Sequence, residues 1–434
     1  MTISSSLNAG VAGLNANATK LATISDNIAN SSTYGYRRVE ADFSSMVLQG
    51  GSSAKYSAGG VRASTMRLID QKGPLVSTTN ATDLAVDGRG MLPVTTLNSV
   101  SQGGGSYPLS LMTTGSFRAN EDGYLVTQTG LVLMGWPANP DGTIPQYSRV
   151  SAAGLQPVRI NLNQFAANPT TEMVMSVNLP ATETAATAAG EDQTLAIEYF
   201  GNLGTSEMLD VTFTPTIPAS GLSNQWTLTL RDSASGGAIV GEYTLTFDDA
   251  QGSGGTLLSV TTVSGGAYDP ATGKVGMTLA GGPVSLSLGK LGATDGMTQL
   301  SDTFAPVTLG KNGSPVASVT SVQVDEKGDV YAIYDQGFTR RIYQIPLVDV
   351  PNVNGLVAQS NQTYQISSDS GAMFLWDAGD GPTGSVVGFA REESATDVAA
   401  ELTQLIQTQR AYSSNAKVIQ TVDEMLQETS NIKR

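Results

Sequence analysis

The sequence predicts a mainly β protein with long α-helical termini. It reads as a nested multidomain chain, a terminal helical coiled-coil core plus two β domains of sandwich or barrel type. Three observations predict it. Near the N-terminus apolar residues recur every seven positions, at Leu7, Leu14, Leu21 and Ile28, with Val11 and Ala18 between them. The last stretch repeats the device with Leu402, Leu405, Tyr412, Ala416, Ile419 and Leu426. Such heptads make a narrow apolar seam that wants a partner helix. Between the two ends lie short alternating runs broken by turn residues, in a chain with 48 glycines and only 6% aromatic residues, a profile suited to all-β domains.

The first helix is expected to start near Ser4–Ser6, which can cap it, and to end near Asn30. Its interior is poor helix-forming material, since Asn8, Gly10, Gly13, Asn15, Asn17 and Thr19 each cost some tenths to about 1 kcal/mol relative to alanine. Packing must therefore supply its stability. The region 1–70 continues as an extended arm, rich in Ser and Gly around Gly50–Ser53. A first β segment follows over 71–144, with runs at 83–86, 92–95, 116–119, 124–127 and 131–134 and a tight turn at Asp122-Gly123. Prolines 145, 157 and 169 mark a crossing into an inserted β domain, 145–304. Its runs lie at 195–199, 209–213, 226–230, 241–247, 257–263 and 284–288. From 305 to 390 the pattern of the first β segment returns, with runs at 319–324, 330–334 and 340–348. The closing helix, within 391–434, has Ser394 or Thr396 as cap and Asp397 and Glu401 near its positive end. Both helices join the same body at their inner ends, so side by side they must run antiparallel.

Composition narrows the function. No cysteine and no histidine occur, which removes disulfides, thiol nucleophiles and Ser-His-Asp chemistry and disfavours zinc. No Gly-Lys pair is followed by Ser or Thr in the frame of a phosphate-binding loop, and the Asp-Gly pairs at Asp87, Asp122, Asp141 and Asp380 lack calcium-loop spacing. The glycine clusters at 103–105 and 252–255 read as loops. No catalytic, cofactor or metal site is expected. A formal charge of −15 argues against nucleic acid as partner. Residues 151–304 hold fourteen Asp/Glu against four Lys/Arg, which suits a solvent-facing domain. No cleavable secretory signal and no membrane-spanning apolar run is expected. Long helical arms on a β body suggest a subunit that assembles with copies of itself.

Two local sequences go further. Ile24-Ser25-Asp26-Asn27-Ile28-Ala29-Asn30 with Thr33, Gly35, Tyr36 and Arg37 resembles the N-terminal signature of the bacterial flagellar rod and hook axial proteins. Glu401-Leu402, Gln409-Arg410-Ala411-Tyr412, Asn415-Ala416-Lys417-Val418-Ile419 and Thr421–Leu426 look like the C-terminal signature of the same family. Residues 83–90 and 115–126 are similar to its β domain. The large insert favours the hook-type member over a rod-type or hook-associated one. A β-rich surface adhesin trimerised by its helices is the reading outside the family. Asp26, Arg37 and the lead-in 392–397 depart from the family pattern. The resemblance implies a homopolymer, a flexible curved tube between rod and filament that transmits torque. It also implies export unfolded through the type III apparatus, an extracellular place in the hook, and the distal rod protein, hook cap and hook–filament junction proteins as neighbours. On it, Asn27, Ile28, Asn30, Thr33, Gly35, Tyr36, Gln409, Arg410, Tyr412 and Asn415 carry the family motifs.

Overall fold

The structure, a computed structural model, describes residues 3–46, 58–102, 107–139, 142–160 and 165–432. The Gly50–Ser53 stretch, the 103–105 glycine cluster and Asp141 lie outside the described residues. The chain divides into two compact units. One comprises Met1–Asn161, Ser321–Ile333 and Thr339–Arg434, and the other Leu162–Thr320 with Tyr334–Phe338.

In the first unit the N-terminal helix, Ile3–Ala29, packs on the C-terminal helix, Val398–Ile432. Gly10 faces Ile419, Gly13 faces Asn415 and Asn27 reaches Glu401, so the two run antiparallel. The N-terminal helix is already formed at Ile3, so Ser4–Ser6 lie inside its first turns rather than before them. At the other helix Asp397 is the cap, its Oδ1 accepting from the amides of Ala399 (2.9 Å) and Ala400 (3.2 Å). Ser394 instead accepts from Thr396 N, and the Thr396 hydroxyl is buried without a partner.

The arm after Gly35 is not simply extended. Val39–Ser45 and Val61–Arg67 form a two-stranded antiparallel ribbon laid against the N-terminal helix, with Ala41 buried and the Lys20 ammonium 5.6 Å from the Phe43 ring. A two-stranded ribbon is marginal alone, so the helix beneath supports it.

The β body follows from alternating apolar runs. Leu92–Thr96 pairs with Leu131–Pro137 on one side and Ser110–Met112 on the other, while Asp83–Asp87 sits between Ser385–Gly388 and Thr114–Ser116. The run at 116–119 is split between two short strands, Thr114–Ser116 and Arg118–Ala119, and that at 340–348 between Thr339–Gln344 and Leu347–Asp349. Gly123, at φ 84°, makes the turn expected at Asp122-Gly123. Gln156–Pro157 adds to Met134–Gly135, so part of the proline-rich stretch is sheet rather than linker. Trp136 anchors a core with Met91, Leu111, Tyr364 and Leu375, and stacks on Tyr147 at 5.8 Å.

The second unit is a sandwich. Gln193–Phe200, Ser206–Pro215, Gln225–Asp232, Ala238–Phe247 and Leu257–Ser264 form an antiparallel meander in chain order. A second sheet is built around Glu172–Leu179, parallel to Gly282–Ser287 and Thr298–Gln299 and antiparallel to Ala305–Lys311. The inward residues of both sheets, among them Phe213, Trp226, Leu228, Tyr243, Met173, Met175 and Leu286, share one core. Neither Glu172–Leu179 nor Ala305–Lys311 follows from simple alternation. The first has three consecutive buried residues, and the second is an exposed edge strand carrying Pro306 and a bulge.

Candidate assembly interface

The helix pair does not meet along the leucine seam of the N-terminal helix. Its buried face carries Ser5, Gly10, Gly13, Ala16, Asn17, Thr23, Ile24 and Asn27. Small residues let the backbones approach: a Cβ on Gly13 would lie 2.9 Å from Asn415 Nδ2, and one on Gly10 would lie 3.2 Å from Ile419. Leu7, Leu14, Leu21 and Ile28 are half-buried on the flank, and Val11 is exposed. On the C-terminal helix the inward line is Glu401, Thr408 and Val422, all buried, with half-buried Leu405, Tyr412, Asn415, Ala416 and Ile419. Leu402 and Leu426 point away, as do Val398, Ile406 and Met425, each at least 39% exposed, while Val418, 44% exposed, edges the contact with its Cγ1 3.8 Å from where a Gly10 Cβ would stand. Gln409 and Arg410 are also exposed.

The N-terminal family-motif residues converge where the helices enter the body, whereas Gln409, Arg410, Tyr412 and Asn415 lie farther along the last helix. Asn27 is fully enclosed. Its Oδ1 accepts from Val39 N (2.8 Å), and its Nδ2 lies 2.9 Å from Val39 O and 3.0 Å from Glu401 Oε1. One side chain thus presents the paired donor and acceptor of a strand neighbour to Val39 while holding the opposite helix. Asn30 caps its own helix, Nδ2 donating to Asp26 O at 2.9 Å and its Oδ1 accepting from the Thr33 hydroxyl. Gly35 takes φ 70°, and a Cβ there would meet Thr114 at 2.9 Å. The Tyr36 hydroxyl lies 2.9 Å from Asp26 Oδ2 and 3.1 Å from Asn27 Oδ1. Burial, reinforced by Asp26, pushes its pKa up to about 12.

Two contacts at this junction do not follow from sequence pattern. Arg37 has no exposed side-chain surface. It makes a bidentate pair with Glu392 (2.6 and 2.9 Å) and donates to Gln71 O. Glu392 also accepts from Gly73 N, and its own carbonyl accepts from Gly35 N. The pair therefore ties the arm after the first helix to the strand before the last. Arg38 Nε approaches Glu401 Oε1 at 3.5 Å. The only sequence signal for either pair is opposite charge, which does not select partners so far apart in the chain. No group of three or more His, Cys, Asp or Glu is placed to hold a metal ion among the described residues, and none of their helices is long and apolar enough to cross a membrane.

The junction is where comparison with known proteins also falls. Residues 7–37 match the family model for the flagella basal body rod protein, and residues 388–432 the model for the flagellar basal body rod FlgEFG protein C-terminal region. The chain is 33% identical to the flagellar hook protein FlgE of Brucella suis over the full length of both, and 33% identical to that of Rhizobium meliloti, again over both full lengths. Against FlgE of Escherichia coli it is 29% identical over 98% of each. The solved flagellar hook protein FlgE2 of Helicobacter pylori is similar at TM-score 0.43 and 13% identity, over 73% of this chain and 99% of that one. With one-third identity in alignments that span helices, β body and insert alike, the chain belongs to the flagellar hook protein family, FlgE.

Proposed function

We propose that copies of this chain polymerise through their paired terminal helices into the tube of the flagellar hook, a curved, flexible joint that couples rod to filament and carries torque. The observation that supports this mechanism is the uncovered apolar surface of the pair. Val398, Leu402, Ile406, Val418, Met425 and Leu426 stay exposed among the described residues, and Val11 adds to them from the other helix. Fully burying such a side chain from water contributes about 1.5–3 kcal/mol, and these, 39–55% exposed, have about half of that left to gain. A neighbour covering several of them offsets much of the roughly 4–15 kcal/mol that association costs.

The glycine- and asparagine-rich first helix delays this assembly until a neighbour is present. Its sequence is too weak to hold a helix without packing, so in a dilute copy it rests on its own chain alone, chiefly the C-terminal helix, and frays more readily than in the tube, where neighbours cover the pair. The acidic insert lies toward solvent, where modest polar contacts let subunits slide as the tube bends. The role is structural, with no turnover. By family, the neighbours at the two ends of the tube are the distal rod protein and the hook cap or junction proteins, reached after unfolded passage through the type III export apparatus.

Electron microscopy of the purified chain under polymerising salt tests the reading, tubes being the expected product and closed oligomers the refuting one. Ile406→Asp and Met425→Asp change side chains that are more than half exposed and should abolish tubes. Leu405→Asp or Ile419→Asp is a less clean test, because both residues face the partner helix of the same chain.

A further inference from the structure

We infer a second self-association surface, resting on the assembly reading above: Phe389 and Arg391, beside Tyr34, form an anchor that docks on another copy of this chain. Phe389 joins two short strands, Ser385–Gly388 and Ala390–Glu392, and its backbone sits in the left-handed region at φ 55°. That region is closed to bulky side chains except under constraint, and glycine or asparagine would enter it at little cost. The bend itself is fixed by the ladders on either side, where 385–388 pairs with 84–87, 390–392 pairs with 75–77, and Thr78 N donates to the Phe389 carbonyl at 2.6 Å. The bend explains the backbone and leaves the side chain unexplained. Phe389 does not fill the core either, being 40% exposed.

Two residues on, the half-buried Arg391 lays its guanidinium 3.7 Å from the centre of the Tyr34 ring, and Tyr34 is 39% exposed. Among the described residues Arg391 meets no carboxylate, and its Nε is buried without an acceptor. By contrast Arg37, Arg89, Arg118, Arg149 and Arg341 are all paired with carboxylates. A presented aromatic ring two residues from a stacked arginine with no counter-charge is the chemistry of an interface hot spot.

The partner it fits supplies a carboxylate for Arg391 and an apolar seat for Phe389. A second copy meets both needs: the chain carries 38 acidic against 23 basic side chains and belongs to a family whose members are hook subunits. Strain at Phe389 is then kept because the ring is used between copies rather than within one.

Phe389→Gly separates this role from folding. It relaxes the backbone while deleting the ring, so the melting temperature of the soluble chain should rise while the critical concentration for tube formation rises at least about tenfold. Arg391→Gln should raise the critical concentration less and flatten its salt dependence. A fall in melting temperature on Phe389→Gly would make the ring a folding residue and overturn the proposal. So would tubes from Phe389→Gly at the parent's critical concentration. Failure of the parent chain to form tubes at all would instead refute the assembly reading on which the anchor rests.

Discussion

In the inserted sandwich the large side chains point inward, and in the terminal helix pair many of them point outward. Phe213, Trp226, Leu228 and Tyr243 are completely enclosed between two sheets of the same unit. The helices meet instead over Gly10 and Gly13, while Leu402, Ile406 and Met425 face away from the contact. A sandwich of this kind completes its core within one chain. A helix pair joined by its small residues leaves its larger apolar side chains uncovered by its own chain. Direction of the big residues, more than their number, separates the part that completes its own core from the part proposed to assemble.

Breaking the junction should have the largest effect. Glu392→Ala leaves the fully buried Arg37 without its counter-charge, and removing one partner of such a pair costs about 3–5 kcal/mol. Segment-resolved amide exchange should show lost protection at both terminal helices and none in 172–300. Arg37→Met with Glu392→Leu should recover much of the loss, because an apolar pair of similar size carries no stranded charge.

The sandwich has its own buried carboxylate, and it sharpens the contrast. Asp232 accepts from Tyr199 (2.5 Å), Ser235 (2.6 Å) and the amides of Ala280 (2.9 Å) and Ala234 (3.1 Å). Asp232→Ala strands those donors and should cost the second unit roughly 3 kcal/mol, read by denaturant unfolding. Burial pushes this carboxyl up, but the donors outweigh it and hold it below the ordinary value. Its stabilisation is therefore complete above the unfolded pKa of about 3.9 and is lost as pH falls through the folded value.

Asp329 in the first unit goes the other way. Burial raises its pKa despite Arg341 at 3.0 Å, so its folded form takes up a proton first. That uptake adds stability as pH falls from the folded pKa to the unfolded one. Acid melts of Asp232→Asn and Asp329→Asn against the parent should differ in opposite directions.

Much of the sandwich is legible in the sequence. Runs such as 226–230 alternate strictly, and alternation with glycine turns encodes a strand with one wet face. The helices are legible too, but their contact face is not. A seven-residue repeat of leucines reports where apolar side chains cluster, whereas Gly10, Gly13 and Asn17 carry no apolar signal and yet form the seam. The Arg37–Glu392 pair is hidden for a different reason: its partners sit at opposite ends of the chain, and only the fold brings them together.

The glycine seam gives the next test of the comparison. Gly13→Leu improves local helix propensity by up to about 1 kcal/mol. It also drives a side chain into Asn415, whose amide is already 2.9 Å from where a Cβ would stand. Overpacking costs about 1–3 kcal/mol, so the net effect should be a loss of protection in both helices. The same exchange of a glycine at open Gly276, where a Cβ meets nothing within 4 Å, should leave the sandwich nearly unchanged.

The smallest expected effect concerns turns. The hairpin joining Val357–Ala358 to Tyr364–Gln365 places Asn361 and Gln362 at φ 62° and 54°, where the sandwich turn after Asp232 uses Gly236 and Gly237 at 68° and 80°. Asparagine tolerates that region and glutamine does so poorly. Gln362→Gly therefore removes strain in the folded chain but adds freedom to the unfolded one, and the two oppose each other. Since left-handed non-glycine residues cost about 1 kcal/mol or more, relief should win by about 0.5 kcal/mol. Replacing Gly237 with glutamine should reverse the sign, lowering the sandwich's unfolding midpoint while the Gln362→Gly change raises that of the first unit.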